Sequence, residues 1–264
     1  MKTIMNRMKQ WGAVAAALLG LIAFSASTSQ ALTAEVSPRE VEITMSYHGA
    51  KLTISGQSAA SDDLVLKIST EPRDTAMKRY GKAAGLVWMK NGTLEFKGVP
   101  GVYLLNTTAD LQRILDDASL AEYRLGYEAL GKAVSIEDLK GEPVDHDKWF
   151  DQFIRLKEKE AIYGIKEGTI TRQHGENGNT FKIVVDWPYQ AQPGTYKVEL
   201  LAVNSGKVVD TAATSFEVKR VGTAAALSKM ALEQSLLYGI MAVIVAVVAG
   251  FAVGAIFKKG GGAH

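Results

Sequence analysis

The chain of 264 residues contains no cysteine. That one absence excludes disulfides, thiolate metal sites, iron–sulfur clusters, c-type haem attachment and cysteine nucleophiles together. A body without disulfides must hold itself together by packing, and about 200 residues suffice for that. Histidine is scarce: His48, His146, His174 and His264 are the only four, and no two stand at a metal-ligand spacing such as HxH or HExxH. No GxSxG elbow, P-loop or GxGxxG is present. The acid pairs Asp62-Asp63 and Asp116-Asp117 are adjacent, so their side chains diverge on a strand or a helix and do not form a paired acid and base. Charge of either sign is also lacking in excess. The first 31 residues carry Lys2, Arg7 and Lys9 and no acid, and removing them leaves 27 basic against 28 acidic residues. A nearly neutral body lacks the basic face that nucleic acid requires. The expectation is therefore a non-enzyme with no cofactor, no metal site and no nucleic-acid partner.

Long apolar runs are present, at both ends. A basic stretch precedes Trp11–Phe24, 14 nearly all-apolar residues, and small and polar residues follow to Ala31. Such a run rises about 21 Å as a helix, short of a roughly 30 Å hydrocarbon core. The pattern reads as a signal peptide, residues 1–31, with Ser29 and Ala31 placing cleavage after Ala31. The second run, Leu236–Phe257, has 22 uncharged residues that span about 33 Å as a helix and match a bilayer. Lys258 and Lys259 begin a short tail, 258–264. A signal peptide puts residues 32–226 outside the cytoplasm and the tail inside it, giving a single-pass protein of the inner membrane with a periplasmic body. Leu227–Ser235 is expected to be a helix continuous with the span. Within the span, Ala246, Gly250 and Gly254 recur every four residues, and Gly250-Phe-Ala-Val-Gly254 matches GxxxG. Small residues on one face let another helix approach closely. The three are expected to pack against a second copy or against a membrane-protein partner.

Between the ends the periodicity is mostly two. Val41–Tyr47, Leu52–Gly56, Leu64–Ile68, Thr180–Asp186, Thr195–Ala202, Val208–Thr211 and Thr214–Lys219 alternate or run apolar between Gly, Asn and Asp breaks, as strands do. Asn204-Ser-Gly206 reads as a tight turn. Gly85–Met89 and Thr93–Phe96 read as a hairpin closed by Asn91-Gly92, a favoured type I′ pair. The middle is different: Asp110–Val134 has mostly helical spacing, and a second helix is expected over Asp147–Ile165, with Trp149, Phe153 and Leu156 on its packing face. Asp145-His146-Asp147 reads as the polar start of that helix rather than as a cation site. The segment Pro193-Gly-Thr-Tyr-Lys-Val-Glu-Leu200 resembles a late strand of an immunoglobulin-like sandwich. The fold expected is mainly β: an immunoglobulin-like antiparallel sandwich with strands from about 36–105 and 178–220, a helical insertion at about 108–168, and one C-terminal transmembrane helix. Two separate β units joined by helices are the alternative.

The layout resembles a family of uncharacterised bacterial transmembrane proteins of alphaproteobacterial type. Val41–Ala50, Gly85–Met89, Pro193–Val198 and the single terminal helix carry the resemblance. The family brings no catalytic residues. It implies an accessory role beside a sulfite-exporter-type permease. The rival expectations are a periplasmic protein that binds a solute or metal and hands it to a transporter, and a carboxylate hydrolase.

Overall fold

A computed structural model describes residues 31–59, 62–83, 86–175 and 178–258. All but the last residue of the expected signal peptide and most of the expected tail lie outside these residues.

Thirteen described strands form three sheets. The first contains β1 (Glu35–Ser37), β3 (Ala50–Ser58), β11 (Gly178–Trp187) and β10 (Thr171–Gly175), in the order β1-β3-β11-β10. The second contains β2 (Glu40–Ile43), β13 (Lys207–Arg220), β12 (Gly194–Asn204), β4 (Asp63–Ser69), β7 (Tyr103–Thr107) and β9 (Tyr163–Lys166), in the order β2-β13-β12-β4-β7-β9. Early and late strands share both sheets, so the β units are not separate. Antiparallel pairs dominate, and a parallel strand is added at each edge of the larger sheet, β2 on β13 and β9 on β7. Alternation explains the layering. On β11, Phe181, Ile183 and Val185 are buried while Lys182, Val184 and Asp186 face out. The inward rows join Leu52 and Ile54 of β3 to Leu66, Ile68, Val198, Leu200, Phe216 and Val218 of the larger sheet in one core.

The expected Asn204-Ser-Gly206 turn is present, and a bond near the start of β12 accompanies it. Ser205 and Gly206 join β12 to β13 with φ of 51° and 84°, both left-handed as a type I′ turn requires. Near the start of β12, Tyr196 Oη donates to Gln192 O at 2.5 Å. A tyrosine bonded back to backbone a few residues upstream is the corner found in immunoglobulin-like sandwiches.

The third sheet departs from expectation. β5 (Pro72–Ala83) and β6 (Val87–Pro100) form one long hairpin, and β8 (Ser135–Asp138) pairs with β6. Asn91-Gly92 does not close this hairpin but lies inside β6. Arg79 pairs with Gly92 and Tyr80 with Lys90, so Asn91 is the extra residue of a bulge. The reason is a side chain that passes over Gly92. A Cβ there would lie 3.2 Å from Arg79 Nε and 3.2 Å from Asp138 Oδ2. Arg79 Nη1 pairs with the buried Asp138 at 3.3 Å, and Nη2 reaches Glu142.

The stretch expected to be all helical is broken. Three short helices, α1 (Leu111–Ile114), α2 (Asp117–Glu122) and α3 (Tyr127–Ala133), precede β8, and α4 (His146–Lys159) follows it. Asp110, Asp116 and Asp145 cap α1, α2 and α4, each accepting from a backbone N–H three residues on. The helix expected to reach Ile165 ends at Lys159. Ala161 takes φ 56° and turns the chain back, so that Tyr163–Lys166 becomes β9. On α4, Phe153 is buried and stacks on Phe96 at 4.5 Å, while Trp149 and Phe150 are partly buried against the core. Leu156, expected on the packing face, is 41% exposed.

After β13 come α5 (Gly222–Glu233) and α6 (Ser235–Lys258). They are not the single continuous helix expected. Gln234 leaves helical geometry at φ −132°, ψ 49°, where Glu233, Gln234 and Ser235 put three polar residues together.

Candidate binding cleft and membrane helix

A cleft of about 380 Å³ opens where the short helices meet the larger sheet. Its volume falls in the range of small-ligand pockets. β7 supplies its floor. Tyr103 is buried, donates from Oη to Arg124 O at 2.7 Å and accepts from Gly126 N at 2.9 Å. This double bond pins the loop after α2 onto the sheet. Burial raises the Tyr103 phenol above its usual range, so it remains a donor at neutral pH. The pinned loop holds Arg124 at φ 51°, unusual for a residue with a side chain.

Charged groups of both signs line the cleft. β4 contributes Lys67, whose Nζ lies 3.0 Å from Glu199 and donates to Tyr123 O at 3.0 Å. β12 contributes Lys197 and Glu199, paired at 2.7 Å. Burial pushes the Glu199 carboxyl upward, but hydrogen bonds from Lys197 and Lys67 outweigh it and hold the carboxyl below its ordinary value. Stability from Glu199 is therefore present above the usual Glu range and is lost as pH falls through the depressed value. Replacing Lys67 by Met removes one of the two lysines, and the acid-unfolding midpoint, followed by tryptophan fluorescence, is expected to move to higher pH. An unmoved midpoint would show that Lys197 alone holds the carboxylate. Arg124 and Glu122 also line the cleft, and neither side chain has an ion-pair partner among the described residues.

The Asp145-His146-Asp147 trio starts α4, with His146 Nδ1 3.3 Å from Asp147 Oδ1. Asp145 caps α4, while His146 Nε2 lies 2.9 Å from Val134 O and its ring stacks on Phe150. Among the described residues, no three His, Asp or Glu converge as metal ligands. Nothing in the sequence marked the cleft, because its residues come from four separate segments that only the sheet register brings together.

The other candidate is α6. The stretch Ser235–Ala255 has a mean hydropathy of 2.6 and is wholly unburied. Ala246, Gly250 and Gly254 are all exposed on it, and a Cβ at Gly250 or Gly254 would meet nothing within 4 Å. The helix is long and apolar enough to cross a membrane, and none of this span is buried by the described residues.

Residues 31–259 match the family described as "Putative transmembrane protein (Alph_Pro_TM)". The chain belongs to this family. The match runs from the first residues of the body through the apolar helix, so it covers sandwich, hairpin, cleft and candidate span together. A comparison with curated proteins gave no match.

Proposed function

We propose that this family member is a non-enzymatic accessory protein of the inner membrane, with its body in the periplasm, its C-terminus in the cytoplasm and α6 packed against a helix of a membrane-protein partner. The observation that carries this reading is α6 itself: a bilayer-length helix that stands unburied among the described residues, with small residues every fourth position. The resemblance noted in the sequence makes a sulfite-exporter-like permease the first partner to look for. Removal of a signal peptide is supported by the start of the body. Leu32 is buried, and its backbone N lies 3.0 Å from Asp210 Oδ2. Cleavage after Ala31 would turn that nitrogen into an ammonium group facing a carboxylate.

The test is affinity purification of the full chain from membranes in mild detergent, with mass spectrometry, repeated for Gly250→Leu and Gly254→Leu. A membrane protein recovered with the natural chain and lost from both variants is expected. Recovery of the protein without a partner in every case would remove the accessory reading. The intact mass from the same preparation is expected to begin at Leu32.

A second reading is favoured by the cleft, whose mixed charges, with Arg124 in no ion pair among the described residues, suit a small anionic or zwitterionic solute to be handed to a transporter. Thermal shifts with sulfite, sulfate, phosphate and divalent metals test it. A ligand at 100 times its Kd stabilises by about 2.7 kcal/mol, so uniformly flat curves at high concentration would dismiss it.

A further inference from the structure

The β5–β6 hairpin carries apolar side chains where a soluble hairpin would carry polar ones. Tyr80 is 58% exposed, Leu86 84%, Val87 64% and Met89 53%. The half of the hairpin nearest the body is anchored: Leu94, Phe96 and Val99 are buried, and β8 pairs only with Leu94–Lys97. Beyond that pairing, two strands project with no third strand beside them among the described residues, over about 20 Å at the usual rise per residue. Charge on this segment has one sign. Thr75–Leu94 contains Lys78, Arg79, Lys82 and Lys90 and no acid, and Arg79 is paired with Asp138 and Glu142.

The direction of the hairpin follows from register. β4 pairs with β7 up to Ser69 opposite Tyr103, and β5 pairs with β6 from Pro72 opposite Pro100, three residues further on each strand. The hairpin therefore prolongs the β4–β7 ribbon in the direction in which β4 runs. β13 runs the same way, because β12 is antiparallel to both. β13 ends at Arg220, and α5 begins at Gly222 with a single residue between them. The hairpin thus leaves the sheet at the end from which the chain departs for α6, and the opposite end carries the β12–β13 turn and Val209.

We propose that the tip of this hairpin is a second membrane contact, lodging Tyr80, Leu86, Val87 and Met89 at the headgroup level of an anionic bilayer, with Lys78 and Lys90 against lipid phosphates. The bilayer is the one α6 crosses. Apolar and aromatic groups flanked by lysine suit a membrane interface, where one end of a side chain is dry and the other wet. Each lysine near an anionic surface strengthens binding about five-fold. The proposal rests on α6 lying in the bilayer and on no protein partner.

The absence of cysteine makes the test direct. Single-cysteine variants Leu86→Cys, Val209→Cys and Val247→Cys of the full chain are labelled with an environment-sensitive fluorophore and reconstituted into vesicles of phosphatidylcholine with phosphatidylglycerol. Shallow doxyl-labelled lipid is added as quencher. Leu86 is expected to lose most of its emission to the doxyl lipid and to resist aqueous iodide. Val209, at the far end of the sheet, is expected to do the reverse. Adding Lys78→Glu and Lys90→Glu is expected to weaken the quenching at Leu86. Val247 reports on α6 separately: its quenching with Leu86 open to iodide would overturn the hairpin contact while leaving the anchor intact. Shielding of Leu86 only in native membranes, and not in lipid vesicles, would make the occupant a protein and would equally overturn the proposal.

Discussion

Replacing Phe153 with alanine should lower the stability of the body by about 3–5 kcal/mol, the usual cost of removing a buried phenylalanine ring. Phe153 is 1% exposed, stacks on Phe96 of β6 at 4.5 Å and meets Tyr163 of β9 edge-on at 5.8 Å. One ring thus ties α4 to the base of the hairpin and to the edge of the larger sheet, and its loss opens a cavity where three segments meet. The melting temperature of the full chain in detergent should fall by about 10 °C, given roughly 2–4 °C per kcal/mol at this size. Leu156→Ala on the same helix, at a site 41% exposed, should cost far less. If both variants melted alike, α4 would not be the clamp described here. The hairpin tip should also lose its fixed direction in Phe153→Ala, so its contact with lipid should weaken before the sandwich unfolds.

The parts of this fold that were legible in the sequence are those decided locally. Strands with an inward row, such as Phe181, Ile183 and Val185, announce themselves by alternation. The Ser205-Gly206 turn depends on residues a few positions apart. The bilayer-length helix is a matter of composition alone. What was not legible depends on residues far along the chain. Asn91-Gly92 looks like a turn until Asp138 and Glu142 bring Arg79 across Gly92 and leave Asn91 as a bulge. β8 and β9 are four residues each, too short to show a period, and exist because Leu94–Lys97 and Tyr103–Asn106 offer them open edges. The cleft was invisible for the same reason, since Lys67, Arg124 and Glu199 converge only through strand register and the bonds of Tyr103.

These elements share one end of the larger sheet. Ser69, Tyr103 and Lys197 stand there opposite one another in register, and the cleft is built on them. The hairpin leaves from the same place, and the chain departs toward α6 from the neighbouring strand β13. Membrane helix, hairpin and cleft are therefore not three scattered features. If the hairpin tip rests on the bilayer, the body has two attachments to it, and two attachments fix an orientation that one flexible tether would not. The break at Gln234 fits this arrangement, because a body held by its hairpin does not need α5 and α6 to act as one rigid post.

The sandwich itself should depend most on Trp187. This residue ends β11 in the smaller sheet and packs edge-on against Tyr196 at 4.6 Å and Phe216 at 4.9 Å, both in the larger sheet. Tyr196 and Phe216 in turn stack at 5.3 Å. Trp187→Ala should cost about 3–5 kcal/mol, through lost burial and lost ring pairing. The indole N–H has no hydrogen-bond partner among the described residues, so Trp187→Phe removes an unsatisfied donor while keeping an aromatic ring, and it should cost less than about 1.5 kcal/mol. Tyr196→Phe isolates the corner bond to Gln192 O and should cost about 1 kcal/mol. Burial pushes that phenol up to about 12, so the bond persists through neutral pH and the cost should not vary there. Urea unfolding gives all three numbers if the slope is unchanged, because a shifted midpoint at constant slope reports the native state. The order Ala, then Phe, with the tyrosine variant near the second, would place the join between the sheets in ring packing rather than in polar bonds. Equal losses for Trp187→Ala and Tyr196→Phe would reverse that assignment and make the tyrosine corner the element that holds the two sheets in register.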